Sequence, residues 1–292
     1  MFHVKQSKIV QQTFHVKLFA FVLNIELIYY IIFVKRRCVM GKTVCIFNQK
    51  GGVGKTTTCV NLSAVLGNKG FKTLIVDIDP QGNSTSGVGI DKAELEISSY
   101  DTLINGAAAK AVIKKTEFEN LYILPANMNL AGAELELAEK SDRYAVLKKA
   151  LAPVVAEYDY ILIDCPPSLG LLSINGLTAA DTLLIPLQCE YYALEGMSQL
   201  LSTIRTVKQY YNEHLEIEGV VYTMFDSRLN LSKQIVEEIN KYFTTKAYKT
   251  FIPRTVKLAE APSFGTPILY FDKYSKGSLA YKKLASEFLS KQ

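Results

Sequence analysis

Lys50-Gly51-Gly52-Val53-Gly54-Lys55-Thr56-Thr57 stands between an apolar run, residues 43–47, and a stretch of helical character, residues 58–69. Strand, glycine loop and helix in that order are the setting in which G-x-x-x-x-G-K-[ST] cradles phosphate. The strict pattern puts its first glycine where Gln49 stands. Here Lys50 comes next and the glycines are shifted to Gly51 and Gly52. The loop is thus a variant form with a second lysine at its start.

The chemistry needs these residue types. Glycine reaches positive φ without steric cost, so successive N–H groups can point inward as an anion nest. The helix that follows adds the positive end of its dipole. Lys55 is expected along the β- and γ-phosphate oxygens, and the Thr56 hydroxyl on Mg²⁺. The whole run Lys50, Gly51, Gly52, Val53, Gly54, Lys55, Thr56, Thr57 is the expected nucleotide-binding segment. Lys50 stands too early to do the work of Lys55, and the loop alone leaves it open between a solvated lysine and a functional one.

The chain of 292 residues is long enough for one large α/β domain or two small ones. Its 49% hydrophobic and 21% charged residues are ordinary for a globular protein. The formal charge of +5 resides in residues 1–39, which hold six Lys/Arg against Glu26; the remainder has 27 basic and 27 acidic residues. Any affinity for nucleic acid must therefore come from a local patch. Residues 201–292 carry fourteen Lys/Arg against nine Asp/Glu, so the local excess lies toward the C-terminus. The cysteines (Cys38, Cys45, Cys59, Cys165, Cys189) form no C-x-x-C, which argues against a disulfide framework or zinc site and fits a reducing cytoplasm. With only His3, His15 and His214 present, chemistry built on a histidine base is not expected.

Residues 1–39 carry two readings. Residues 18–34 are apolar except for Asn24 and Glu26, slightly short of the ~20 residues a spanning helix needs, and could serve as a hydrophobic anchor with Lys35-Arg36-Arg37 inside. Alternatively, Lys35-Arg36-Arg37-Cys38-Val39-Met40 back-translates as AAA-AGG-AGG-TGT-GTN-ATG, a purine-rich ribosome-binding sequence before a start codon. On that reading translation begins at Met40 and the preceding segment is an upstream extension absent from the native protein. With no linker, low-complexity tract or repeat dividing them, residues 40–292 are expected to form a single phosphate-loop domain.

Along the rest of the chain, residues 72–77, 121–125, 159–164, 182–186, 218–224 and 248–252 read as buried strands. Residues 100–103, 107–113, 130–139, 141–158, 192–212 and 277–292 read as helical. Strands alternating with helices imply an α/β fold, a doubly wound, mostly parallel sheet flanked by helices. In such folds ligands sit at the carboxyl ends of strands. Asp77, Asp79 and Asp164 fall there. Asp164 is placed to hold Mg²⁺ through water; Asp79, in a polar turn beyond its strand, is placed to orient an attacking water; Asp77 is expected only to anchor the loop. The residues together describe a Mg²⁺-dependent nucleotide hydrolase. The guanine-reading N-K-x-D pattern is missing, which favours ATP over GTP.

K-G-G-V-G-K-T-T-T at 50–58, V-D-I-D-P-Q-G-N at 76–83, I-D-C-P-P-S-L-G at 163–170, Q-C-E-Y-Y-A-L-E-G at 188–196 and I-P-R-T-V-K-L-A-E-A-P-S-F-G-T-P-I at 252–268 resemble the ParA/Soj chromosome- and plasmid-partitioning ATPases, proteins with a deviant Walker A loop. The likeness runs from Met40 to near the C-terminus. It implies that Lys50 reaches the partner's nucleotide in an ATP-sandwich homodimer, and that Lys55 and Asp79 serve catalysis. It implies non-specific binding of double-stranded DNA, with Arg228 and Lys257 at basic positions. Lys257 stands where an arginine is usual, so it offers a point charge without a bidentate fork. It further implies a ParB-like centromere-binding partner, slow turnover without it, and a cytoplasmic, nucleoid-associated protein. A MinD-like membrane-positioning ATPase, which would need residues 277–292 as an amphipathic membrane helix, and a nucleotide-gated DNA-binding regulator are the alternatives.

Overall fold

The computed structural model describes residues 41–190 and 193–292. Both readings of residues 1–39 lie outside the described residues, as do Met40 and the first residue of the helix expected over 192–212.

The apolar run before the loop forms β1, Lys42–Ile46, and the loop leads into α1, Lys55–Asn68. The strand β2, Thr73–Asp77, is followed by a short helix α2, Asn83–Gly87. After β3, Lys114–Lys115, and β4, Leu121–Leu124, come α3, Leu130–Ala138, and α4, Val146–Leu151. Then follow β5, Tyr160–Asp164, α5, Leu171–Ala179, β6, Thr182–Gln188, and α6, Ala193–Tyr210. The chain continues through β7, Glu216–Phe225, α7, Asn230–Phe243, and β8, Ala247–Pro253, to α8, Val256–Glu260, and α9, Lys276–Ser290.

One eight-stranded sheet has the order β3-β4-β2-β5-β1-β6-β7-β8. Every pairing is parallel except β3 with β4. A parallel sheet is covered on both faces, so its inner strands read as continuous apolar runs. All five residues of β2 and of β5 are buried. The register brings Ile46 of β1 beside Asp164 of β5, and Asp164 beside Asp77 of β2. Three segments distant in sequence therefore end at one level, where β1 opens into the glycine loop.

The helix after that loop is buried on every side, with ten consecutive buried residues from Thr58 to Gly67. At its far end a side chain on Gly67 would collide with the Glu119 carbonyl oxygen, so only glycine permits that approach. The C-terminal helix closes the other flank: Tyr281, Leu284, Ala285 and Phe288 are all fully buried. The Tyr281 hydroxyl meets that of Thr58 at 3.3 Å, and the Phe288 ring packs edge-on against Tyr160. An apolar face spent on the core is not offered to a bilayer. No helix among the described residues is long and apolar enough to cross a membrane.

The structure departs from the sequence reading at several elements. The helix expected over 141–158 is α4 plus a single 3₁₀ turn at Val155–Glu157. Pro153 accounts for the break: Ala152 is still helical, but the proline has no N–H to donate back to the preceding turn and its ring crowds that turn. The helical piece at 100–103 is a π turn at Asp101–Asn105, and α2 and α7 lie where no element was expected.

Truncating Leu284 to alanine in this closed flank is expected to cost about 2–5 kcal/mol. Urea unfolding checks this: a midpoint equal to that of the unmodified chain would show α9 to be no part of the core.

Candidate functional site

The loop is held in shape before any ligand arrives. Asn48 donates from its side-chain amide to the Pro186 carbonyl (2.8 Å), while its side-chain oxygen accepts the Lys50 N–H (3.1 Å). Gln49 reaches the Thr203 hydroxyl on α6 (2.9 Å), and the Thr223 hydroxyl of β7 donates to the Val53 carbonyl (2.7 Å). Gly52 and Gly54 take φ of 73° and 88°, the left-handed region that a nest of inward N–H groups requires. The first turn of α1 has no side-chain cap and no acid. Its N–H groups are therefore open to an anion.

Lys55 is 6% exposed and turns back over the loop, its ammonium donating to the Lys50 carbonyl at 3.0 Å. Burial pulls its pKa down, against the opposing pull of Asp164, Cys165 and Asp79. A triphosphate would strengthen that opposing pull. Lys50 points the other way, 39% exposed, and pairs with Glu190 at 2.7 Å. The two lysines of the loop thus face different surroundings, one inside the site and one on its rim.

The three carboxylates differ in their surroundings. Asp77 accepts from the Asp79 N–H (3.1 Å), the Thr85 N–H (2.9 Å) and the Thr85 hydroxyl (2.8 Å). It anchors the turn that carries Asp79. Asp79 is nearly buried and accepts the Gln81 N–H at 2.9 Å. In Asp164 one oxygen accepts from the Ser84 hydroxyl (2.7 Å), while Oδ1 is buried with no hydrogen-bond partner among the described residues. A buried acceptor left over beside the loop suits a water bound to a hard cation, and the nearby Thr56 hydroxyl suits direct ligation. The residues present therefore fit a magnesium–nucleoside triphosphate. Burial and then the Asp164 charge push the Asp77 carboxyl well up; burial pushes Asp164 up too, against the Ser84 and Thr56 hydroxyls.

Beside Gly54 and Thr57 opens a cavity of ≈ 520 Å³, lined also by Met224, Pro253, Val256 and Tyr281. Sequence reasoning missed it, because β7, β8 and α9 contribute lining far along the chain from the loop. Met224 adopts φ of 50°, unusual for a residue with a side chain, where β7 runs past this cavity. Arg228 and Lys257 follow β7 and β8, outside the cavity. Arg228 grips Asp226 through its Nε and Nη2 atoms (2.6 Å at the closest), and Lys257 pairs with Glu260 at 3.2 Å. Thr255 caps the short α8 that carries Lys257, accepting the Leu258 N–H.

A family profile described as an AAA domain matches residues 41–217. The chain is 57% identical over 248 residues to the sporulation initiation inhibitor protein Soj of Bacillus subtilis, covering 85% of this chain and 98% of that one. The chain belongs to the ParA/Soj family. Its likeness to the chromosome partitioning protein ParA of Myxococcus xanthus is 50% over 252 residues, 86% of this chain and 89% of that one. A solved structure of Mycobacterium smegmatis cobyrinic acid a,c-diamide synthase, with bound ATP analogue and magnesium, superposes with a TM-score of 0.74 at 38% identity. It covers 84% of this chain and 93% of that one. The mostly parallel sheet is thus the fold of this ParA/Soj-family chain, and the glycine loop sits where β1 gives way to α1.

The paired acids predict a pH dependence. Both carboxyls hold their protons more tightly folded than unfolded, so between about pH 4 and their raised values the native state binds more protons. Stability of the protein without metal or nucleotide is expected to fall as pH rises from about 5 to 8. Asp164→Asn, which retains an acceptor for Ser84, should flatten that fall. Denaturant midpoints across the range check it: an unchanged slope would clear the pair of responsibility.

Proposed function

We propose that this chain is an ATP-dependent DNA-segregation protein, its residues 40–292 acting as one ATPase domain. The observation carrying this reading is the division of labour within the loop. Lys55 is folded inward, whereas Lys50 is on the rim, its four-carbon stem carrying the ammonium out to Glu190. One lysine serves the subunit's own nucleotide; the other serves that of a second copy. The family supports ATP and Mg²⁺ as the cofactors, as does the magnesium and ATP analogue in the similar mycobacterial structure.

When bound, ATP supplies the phosphoryl group that water attacks, and Mg²⁺ supplies positive charge to it. The chain does the rest by position. N–H groups of Gly51, Gly52, Val53, Gly54 and α1 hold the phosphates, Lys55 neutralises them, and Thr56 and Asp164 hold the metal, the latter through water. Thr57 lies between this loop and the cavity, which takes the base and ribose. Asp79, held by its turn, orients the attacking water. Lys50 from each subunit neutralises charge on the other's triphosphate, so nucleotide joins two copies.

Pairing doubles the basic side chains presented to one duplex. Because affinity rises steeply with the number of phosphates neutralised, the dimer binds double-stranded DNA without sequence preference and the monomer largely does not. Arg228 and Lys257 make those contacts. Hydrolysis loosens the pairing and releases DNA, slowly alone and faster with a ParB-like partner. The protein acts in the cytoplasm on the nucleoid. The burial of the apolar face of α9 supports DNA over a membrane as its surface.

Three substitutions separate the roles. Lys55→Ala is expected to lose nucleotide binding. Lys50→Ala should bind ATP by fluorescence titration yet sediment as a monomer, and a normal dimer would count against the cross-subunit role. Asp79→Ala should pair and remain on DNA with phosphate release reduced ~100-fold or more. For the DNA surface, Arg228→Ala should still pair but bind DNA more weakly. In filter binding, the slope of log affinity against log salt should shrink by about one for each phosphate left without its cation; an unaltered slope would remove Arg228 from the interface.

A further inference from the structure

In the free subunit the rim lysine is already occupied. Its ammonium pairs with Glu190 at 2.7 Å. The second oxygen of Glu190 accepts from the side-chain amide of Gln188 at the end of β6. The backbone of Glu190 is fixed on both sides, its N–H donating to the Gln188 carbonyl and its carbonyl accepting the Ala193 N–H, each at 2.9 Å. Lys50 is fixed to the same strand, since its N–H bonds to Asn48 and Asn48 bonds to Pro186 of β6. Lysine and glutamate are therefore held by one scaffold, and the pair forms without either backbone moving.

We infer that Glu190 is a positioning residue that holds Lys50 against its own subunit and sets the concentration at which two nucleotide-bound copies pair. The inference rests on the reading of Lys50 as the lysine that crosses to the partner. A lysine bound to Glu190 cannot at the same time reach a second subunit's phosphates. Each subunit must break its pair before the sandwich closes. Both partners are substantially exposed, at 39% and 48%, so one pair shifts an equilibrium by only about 1.4- to fivefold. The twofold symmetry of pairing makes two such breaks necessary, and the factors multiply. Removing the glutamate charge should therefore tighten pairing by about two- to thirtyfold. The same contact keeps Lys50 from lying over the subunit's own phosphates, where it would compete with Lys55 and leave nothing to offer a second copy.

The test is sedimentation velocity on the full chain with a non-hydrolysable ATP analogue and Mg²⁺, over a dilution series at low salt. Glu190→Gln is expected to pair at about two- to thirtyfold lower protein concentration than the unmodified chain, with an unchanged thermal unfolding midpoint. The difference should shrink as salt is raised, because an exposed ion pair is screened whereas a structural defect is not. Equal or weaker pairing by Glu190→Gln, or a gain that persists undiminished in high salt, would overturn the inference. Lys50→Ala runs in parallel. If it pairs like the unmodified chain, the cross-subunit reading itself fails; if it stays monomeric while Glu190→Gln is unshifted, only the role of Glu190 fails.

Discussion

The parallel pairing of β5 with β1 on one side and β2 on the other is the constraint from which the site follows. It sets Asp164 between Ile46 and Asp77 at the level where β1 gives way to the glycine loop. Two carboxyls side by side in a fully buried setting are a costly arrangement, since each charge is desolvated and repels the other. The surroundings offset part of that cost. Thr85 and the Asp79 N–H hold Asp77, Ser84 holds one oxygen of Asp164, and Lys55 lies close enough for their charges to interact. One acceptor oxygen is left unmatched. The fold thus keeps a negative, partly satisfied corner beside a positive loop, the arrangement a metal–phosphate complex completes.

The same sheet explains why the loop is stiff. The loop and the two residues before it are tied to β6 through Asn48, to α6 through the Gln49 side chain and to β7 through Thr223. A pre-shaped nest lowers the ordering cost of binding, so affinity for the phosphates need not be spent on folding the loop. The cavity next to it is shaped by β7, β8 and α9, so the two halves of a nucleotide would rest on different parts of the chain. Burial of α9 against α1 links those parts.

How far this was legible depends on the range of the signal. The loop, β1, β2 and β5 could be read because their evidence is local: glycines at set spacing, and apolar runs ending in an acid. Asp77 and Asp79 could be assigned different duties because one ends a strand and the other begins a turn, and hydrogen bonds bear out the anchoring duty of Asp77. The cavity was not legible, since Gly54 and Tyr281 come to line one space only through tertiary packing. Nor was the contact of Lys50 with Glu190, 140 residues apart. The break of the 141–158 helix was legible in Pro153, but apolar spacing across it outweighed the proline. The α7 helix was passed over although Ile235, Ile239 and Phe243 repeat at helical intervals and are buried.

Charge pairing gives the proposed cycle its direction. Each cation assigned an outside contact is matched within its own subunit: Lys50 by Glu190, Arg228 by Asp226 and Lys257 by Glu260. With residues 40–292 neutral overall, a lone subunit offers a polyanion little beyond these local, already partnered charges. Exposed pairs of this kind are weak and exchange readily, so they oppose binding without preventing it. A single subunit must divert its cations for a small return, whereas two joined subunits divert the same cations and gain from contacting one duplex together. On the proposed reading, dependence of DNA binding on pairing needs no large conformational change. It follows from cations that are individually satisfied and collectively persuasive.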